Sequence, residues 1–413
     1  MPKSQVDFNK TPQRLAYLES IRGIAALQVL LLHILSAFFP MMVFWSRENN
    51  IQTIIHYSPL FVVYNGYASV YIFFVLSGLV LTLAFSRDIE LPLRLIAARY
   101  LRLAIPAFAA CLLALMVTTL VGTPNVEAGK ITGSDMWLQI LWQMPHGALF
   151  FFRDAILNSV VLGYQQTSTL SILALPVKLD DLLSSYVSPM WTLSAEFHGS
   201  LLVLLWTALH QKNYTLWKYV MIASAAFFAF TFFLCFAIGH LLGLRMKKNQ
   251  MPRLLWPSTT GLIGMGALIC IGAESWFSIN LNDICKLTVA THLPCTSNYQ
   301  HMIGAMFIFI GILLSPPLTR RLEAKSLVYI GKLSFSIYLV HWPIIMGVAP
   351  YLFLAMKDST GELPAKLISS LLAFVISVLL AIPFSRVDDL AIVLSKKVKR
   401  TSHLAFTLLN PRP

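Results

Sequence analysis

The stretch "YLESIRGIAALQVLLLH", Tyr17–His33, decides how the chain is read. From Ile21 onward it is almost wholly apolar and built from good helix formers, and extending it gives a candidate membrane span at 20–42. A helix that crosses a bilayer needs about 20 such residues. Two ionisable side chains interrupt the pattern, Arg22 and His33, eleven positions apart. At 100° per residue they differ by only about 20° after three full turns, with a rise of about 16 Å. Both project from one helix face, Arg22 near the end and His33 near mid-depth. Ionisable groups at that depth are costly and line cavities or pathways. A neutral histidine bonded to a neighbouring helix satisfies the same cost, and spacing alone leaves both readings open.

The rest of the chain agrees that the solvent is a bilayer. Of 413 residues, 57% are hydrophobic and 12% charged, with a mean hydropathy of +0.70. A soluble domain carries about 25% charged residues. The composition predicts an all-α fold, a polytopic integral membrane helical bundle of about ten transmembrane helices. The candidate spans are 20–42, 66–86, 101–121, 137–162, 190–210, 217–242, 255–275, 301–317, 327–349 and 366–386. The fourth carries adjacent Arg153 and Asp154, read as a local pair or a re-entrant break. No signal-peptide cleavage site follows the polar N-terminus, so the first apolar helix is expected to be retained.

The net charge is +13, a surplus that in a soluble protein points to nucleic acid. Here the basic residues fall in short runs between apolar segments, and no nucleic-acid motif accompanies them. With both termini cytoplasmic, inner segments hold 21 lysines and arginines and outer loops six, as the positive-inside rule requires. Residues 1–17 then form a cytoplasmic N-terminal segment, 18–386 the membrane domain and 387–413 a basic cytoplasmic tail. This scheme puts Lys212, Lys218 and the sequon Asn213-Tyr214-Thr215 outside. Five cysteines show no metal spacing. Cys111, Cys235 and Cys270 read as packing residues, while Cys285 and Cys295 share one polar loop, paired or free.

Three further segments carry chemistry. In "RLIAARYLRLAIP", Arg94–Pro106, Arg99 and Arg102 are i,i+3 neighbours on one face; they read as positive-inside anchors or as a clamp for phosphates, which Arg grips in bidentate geometry. In "SPMWTLSAEFHGSLL", Ser188–Leu202, Glu196 stands in an apolar span and needs a cationic partner, while His198 faces about 200° away. In "GKLSFSIYLVHWPII", Gly331–Ile345, His341 and Trp342 precede Pro343, which kinks a helix and frees a carbonyl.

Taken in order, these segments resemble the acyltransferase-3 family of membrane acyltransferases. "LESIRGIAALQVLLLH" is similar to its opening motif, with the Arg-x10-His spacing held by Arg22 and His33. "YIFFVLSGLVLT", Tyr71–Thr82, resembles the second-helix motif, with Ser77 and Gly78 in place. "RYLRLAIP" resembles its Arg-x-x-Arg segment, "PMWTLSAEF" its Trp-Ser-Leu-Ser-x-Glu segment, and "GKLSFSIYLVHWPI" the late motif ending His-Trp-Pro. The likeness runs from about Leu18 to Arg386. Glu19 stands where an Asp is usual, Tyr71 where an acidic residue is frequent, and Phe197 where a second Glu commonly follows.

The resemblance implies transfer of an acyl group, commonly acetyl, from cytoplasmic acyl-CoA to a hydroxyl of a sugar, lipid or other small molecule. On that reading His33 is the general base, with Glu196 as its catalytic companion, orienting an Arg or fixing the imidazole tautomer. Arg22, Arg99 and Arg102 bind the phosphates of the donor; His341, Trp342 and Ser77 face the substrate. Acyl-CoA is a co-substrate, with no tightly bound cofactor and no metal expected. Partners are membrane lipids, the donor and a hydroxyl-bearing acceptor. Short outer loops favour a small, lipid-linked or hydrophobic acceptor, such as a secondary metabolite, over a cell-wall glycan. A polytopic transporter or flippase without covalent chemistry is the alternative.

Overall fold

The computed structural model describes residues 15–44, 50–86, 92–145, 147–165, 179–252, 254–272 and 299–409, with side chains as far as Lys399. Cys285, Cys295 and Lys178 lie outside the described residues. Helices make up 84% of the structure, and no strand occurs among the described residues. Six helices are long and apolar enough to cross a membrane, or seven if the bent pair Tyr299–Leu313 and Pro316–Leu322 is one span.

The first helix, α1 (Ala16–Phe38), ends where Pro40 follows, because the residue before a proline is pushed out of helical conformation. Next come α2 (Gly66–Phe85), opened by the Asn65 side chain accepting from the Ala68 amide, and α3 (Pro92–Val121). A short α4 (Pro124–Thr132) folds back over the end of α1: Thr132 Oγ1 donates to the Ala37 carbonyl at 2.8 Å and Ser134 Oγ to Ser36 at 2.7 Å. Late in the chain lie α5 (Lys325–Pro343), continued by a π-helical turn Ile344–Val348 and then by residues to Thr360, and α6 (Glu362–Leu409). Along α6, Leu367, Leu371, Val375 and Leu379 form an exposed stripe four residues apart. Such a face suits lipid rather than water.

Helices α1 and α5 run parallel in close contact. A Cβ built on Gly23 would meet the Gly331 nitrogen at 2.7 Å, so both positions must be glycine for the backbones to approach this closely. That contact sets the site, because His33 and His341 lie a similar distance further along the two helices.

Two expected spans fold differently. Over 137–162, residues 135–140 form turns and helix begins only at Ala148, passing into a π-helix at Arg153–Leu162. The chain then doubles back: Gln143 donates from its amide to the Leu183 carbonyl at 2.9 Å, and Trp142 Nε1 to the Tyr186 carbonyl at 2.8 Å. The helix carrying Glu196 (Trp191–Lys212) therefore starts beside Gln143, not at the opposite end of the bundle. Arg153 and Asp154 do not pair with each other. Arg153 bridges to Asp180 at 3.2 Å, and Asp154 accepts from the Tyr164 hydroxyl and the Tyr186 amide.

The expected span 217–242 is two helices, Tyr214–Phe227 and Phe233–Lys247. Gln211 Nε2 and Lys247 Nζ both donate to the Ser86 carbonyl at the end of α2, at 3.3 and 3.5 Å. Lys212 and Lys218 thus share the side of Lys247, and their assignment to the opposite side is corrected. Doubling back at one place and splitting at the other restores the direction of every later helix. Hydropathy counts apolar residues and is blind to where an apolar segment turns.

Candidate active site

A cavity of about 250 Å³ opens among α1, α2, α3, α5 and the Trp191–Lys212 helix. Arg22, Arg99, Arg102, Ser77 and Glu196 all line it, so five expected site residues from four segments converge on one space. Each arginine is paired with a carboxylate. Arg22 Nη1 bonds Glu19 Oε2 at 3.2 Å. Arg99 bonds Glu196, which also accepts from Ser77 Oγ at 3.1 Å. Arg102 makes two bonds to Asp388, its Nη2 lying 3.1 Å from Oδ2, and its guanidinium stands 5.5 Å from the centre of the Phe335 ring. Arg99 Nε is buried without an acceptor, leaving this arginine a donor to spare.

Asp388 went unread in the sequence. It lies beyond the segments carrying the resemblance, yet a carboxylate in an apolar helix has to find a cation, and that requirement was the available signal. Glu196 bonds neither histidine. Its place is beside Arg99, which fits the first of its two expected parts, orienting an arginine, and not the second, fixing an imidazole tautomer.

The second group lies further along α1 and α5. His33 Nδ1 and His341 Nε2 are 2.8 Å apart, their rings stacked with centroids 5.0 Å apart. His341 Nδ1 lies 3.1 Å from the Ile337 carbonyl. A carbonyl oxygen only accepts, so Nδ1 of His341 carries the proton, and in the neutral ring Nε2 accepts. His33 must then donate from Nδ1, which leaves a lone pair on its Nε2. That tautomer of His33 is set by a backbone carbonyl acting through a second histidine. His341 is fully buried, whereas His33 keeps part of its surface open. His341, expected to face the substrate, is hydrogen-bonded to His33.

Two indoles enclose the pair. Trp137 and Trp342 each stand 5.5 Å from His33, the Trp342 and His33 rings crossing at 79°, and 5.5 Å from one another. Trp137 was not foreseen; it arrives because α4 and the following turns are stapled to the end of α1. Tyr338 joins the two groups. It lines the arginine cavity, its hydroxyl bonds Thr192 Oγ1 at 2.7 Å, and its ring lies 5.9 Å from that of His341. Ser334, Tyr338 and His341 sit at i, i+4 and i+7, one face of α5.

Other histidines play structural parts. His198 packs against Phe197, away from both groups. His240 is buried and satisfied on both nitrogens, by Thr82 Oγ1 at 2.8 Å and by Trp217 Nε1 at 3.3 Å. Cys111, Cys235 and Cys270 are buried free thiols, as packing residues should be. Among the described residues no group of three or more His, Cys, Asp or Glu could hold a metal ion.

No curated protein and no solved structure matches the chain. A family described as an acyltransferase domain matches residues 15–386, taking in both groups of side chains apart from Asp388. The long apolar helices and this match make the chain an integral, multi-pass membrane protein. It belongs to the acyltransferase-3 family and is a membrane acyltransferase.

Proposed function

We propose that the protein transfers an acyl group, most simply acetyl, from acyl-CoA to a hydroxyl of a small, lipid-linked or carbohydrate acceptor. The observation that carries this reading is the free Nε2 of His33, held by the 2.8 Å contact of its Nδ1 with His341. Acyl-CoA enters from the arginine cavity, where Arg22 and Arg99 meet its phosphates; charge-assisted bonds from guanidinium to phosphate are among the strong ones. Arg102 is committed to Asp388 and serves mainly to hold α3 against α6. The acyl thioester reaches along the shared face of α1 and α5 toward His33.

The chemistry follows from the tautomer. His33 Nε2 takes the proton of the acceptor hydroxyl as its oxygen attacks the thioester carbonyl carbon. A carbon–oxygen bond forms and the carbonyl oxygen gains a negative charge. His33, now an imidazolium, keeps its Nδ1 proton on His341 Nε2, which stabilises the added charge as an acceptor should. The intermediate collapses, the carbon–sulfur bond breaks, and the leaving thiolate recovers the proton from His33. The products are an ester and free CoA, with His33 restored.

The test is whether CoA is released. Membranes bearing the protein are supplied with acetyl-CoA labelled in the acetyl group, and free thiol and labelled ester are followed together. Equal, protein-dependent appearance of both is expected. Movement of a solute with no thiol released would overturn the reading in favour of a transporter.

A further inference from the structure

Trp342 is 2% exposed and its Nε1 has no acceptor. Buried indole N–H groups nearly always find one, and an orphan in a native protein calls for an explanation. Leaving it bare is costly, and a phenylalanine in the same place has no such donor. The other buried donors without acceptors include Arg99 Nε and Ser334 Oγ, whose residues line the arginine cavity. Trp342 differs in position: its ring stands 5.5 Å from that of His33, at 79° to it.

Acyl transfer at His33 requires a donor of this kind. Attack on the thioester places a full negative charge on the former carbonyl oxygen, and a preorganised N–H in a dry site stabilises it most. The histidine pair has none to offer, since both Nδ1 protons are engaged, one on His341 Nε2 and one on the Ile337 carbonyl. An indole is a donor only and cannot compete for the acceptor's proton.

We infer that the Trp342 indole N–H is the oxyanion donor of the reaction, bonding the thioester oxygen as it becomes negative. This rests on the acyl-transfer reading above. The site then holds an orphaned donor while empty and a satisfied one in the transition state.

The test is Trp342→Phe, assayed beside His33→Ala with acetyl-CoA as donor. Loss of one oxyanion donor lowers kcat by about 10²–10³-fold, with the KM for acetyl-CoA unchanged. The melting temperature should hold or rise, because an unsatisfied buried group is gone. A purely structural tryptophan gives the reverse, lowered melting temperature with kcat intact. If Trp342→Phe fails to fold, benzothienylalanine at position 342, with sulfur in place of N–H at constant ring shape, gives the same reading. Wild-type kcat in either variant beside an inactive His33→Ala overturns the oxyanion role alone; wild-type kcat in His33→Ala overturns His33 as the base, while acyl transfer itself fails only if no CoA is released by the wild-type protein.

Discussion

At the scale of single residues, His33 and His341 divide one task between them. The sequence placed Arg22 and His33 on one face by helical arithmetic alone, and that part was legible because both lie in one helix. The partner of His33 was not, since His341 is 308 residues away and no local pattern joins them. The division of labour makes a prediction. His341 acts through the single lone pair of Nε2, so His341→Gln, whose amide oxygen can accept near the same point, retains part of the activity. His341→Ala leaves His33 free to turn or change tautomer and loses about 10²-fold or more of kcat, within the range for positioned acid–base catalysis. Measured kcat for the two variants checks this, with the KM for the acyl donor unchanged in both. Equal activities in the two variants would show that the acceptor nitrogen does not matter.

At the scale of elements, the approach of α1 to α5 is what brings the histidines within hydrogen-bond reach. Gly23→Ala places a methyl group against the Gly331 backbone, which cannot swing aside as a side chain does. The gain in helix propensity, about 1 kcal/mol, is smaller than the overpacking cost, which reaches about 3 kcal/mol. The variant is therefore expected to melt lower in detergent and to lose activity as the helices part. Gly261→Ala is the control: it meets no atom within 4 Å, so propensity alone acts and stability is kept or gained. Unchanged melting and activity in Gly23→Ala would contradict the close-contact account. Most long helices could be read from apolar length. Residues 137–162 and 217–242 could not, because their turns are set by tertiary bonds such as Gln143 to Leu183 and by a short break at Phe228–Phe232 that hydropathy averages away.

For the whole molecule, a charged cavity and a histidine pair are set at different depths along one pair of helices. All four segments that bring expected residues to the arginine cavity were legible as motifs, yet the pairing of each arginine with a carboxylate was legible only in outline. Glu196 was expected to find a cation and does; Asp388 was not seen to have one. Neutralising each arginine in this way keeps the cavity stable while it is empty, since an unpaired buried charge costs several kcal/mol. On the proposed reading, a polyanionic donor competes with Glu19 and Glu196 for Arg22 and Arg99. The central claim is that His33 Nε2 is the base on which turnover depends. Its most direct measurement is the single-turnover rate of labelled acyl transfer from acyl-CoA by purified His33→Ala protein that still binds donor and melts as the wild type does. The account predicts a rate lower by about 10²–10⁴-fold; transfer at the wild-type rate would contradict it.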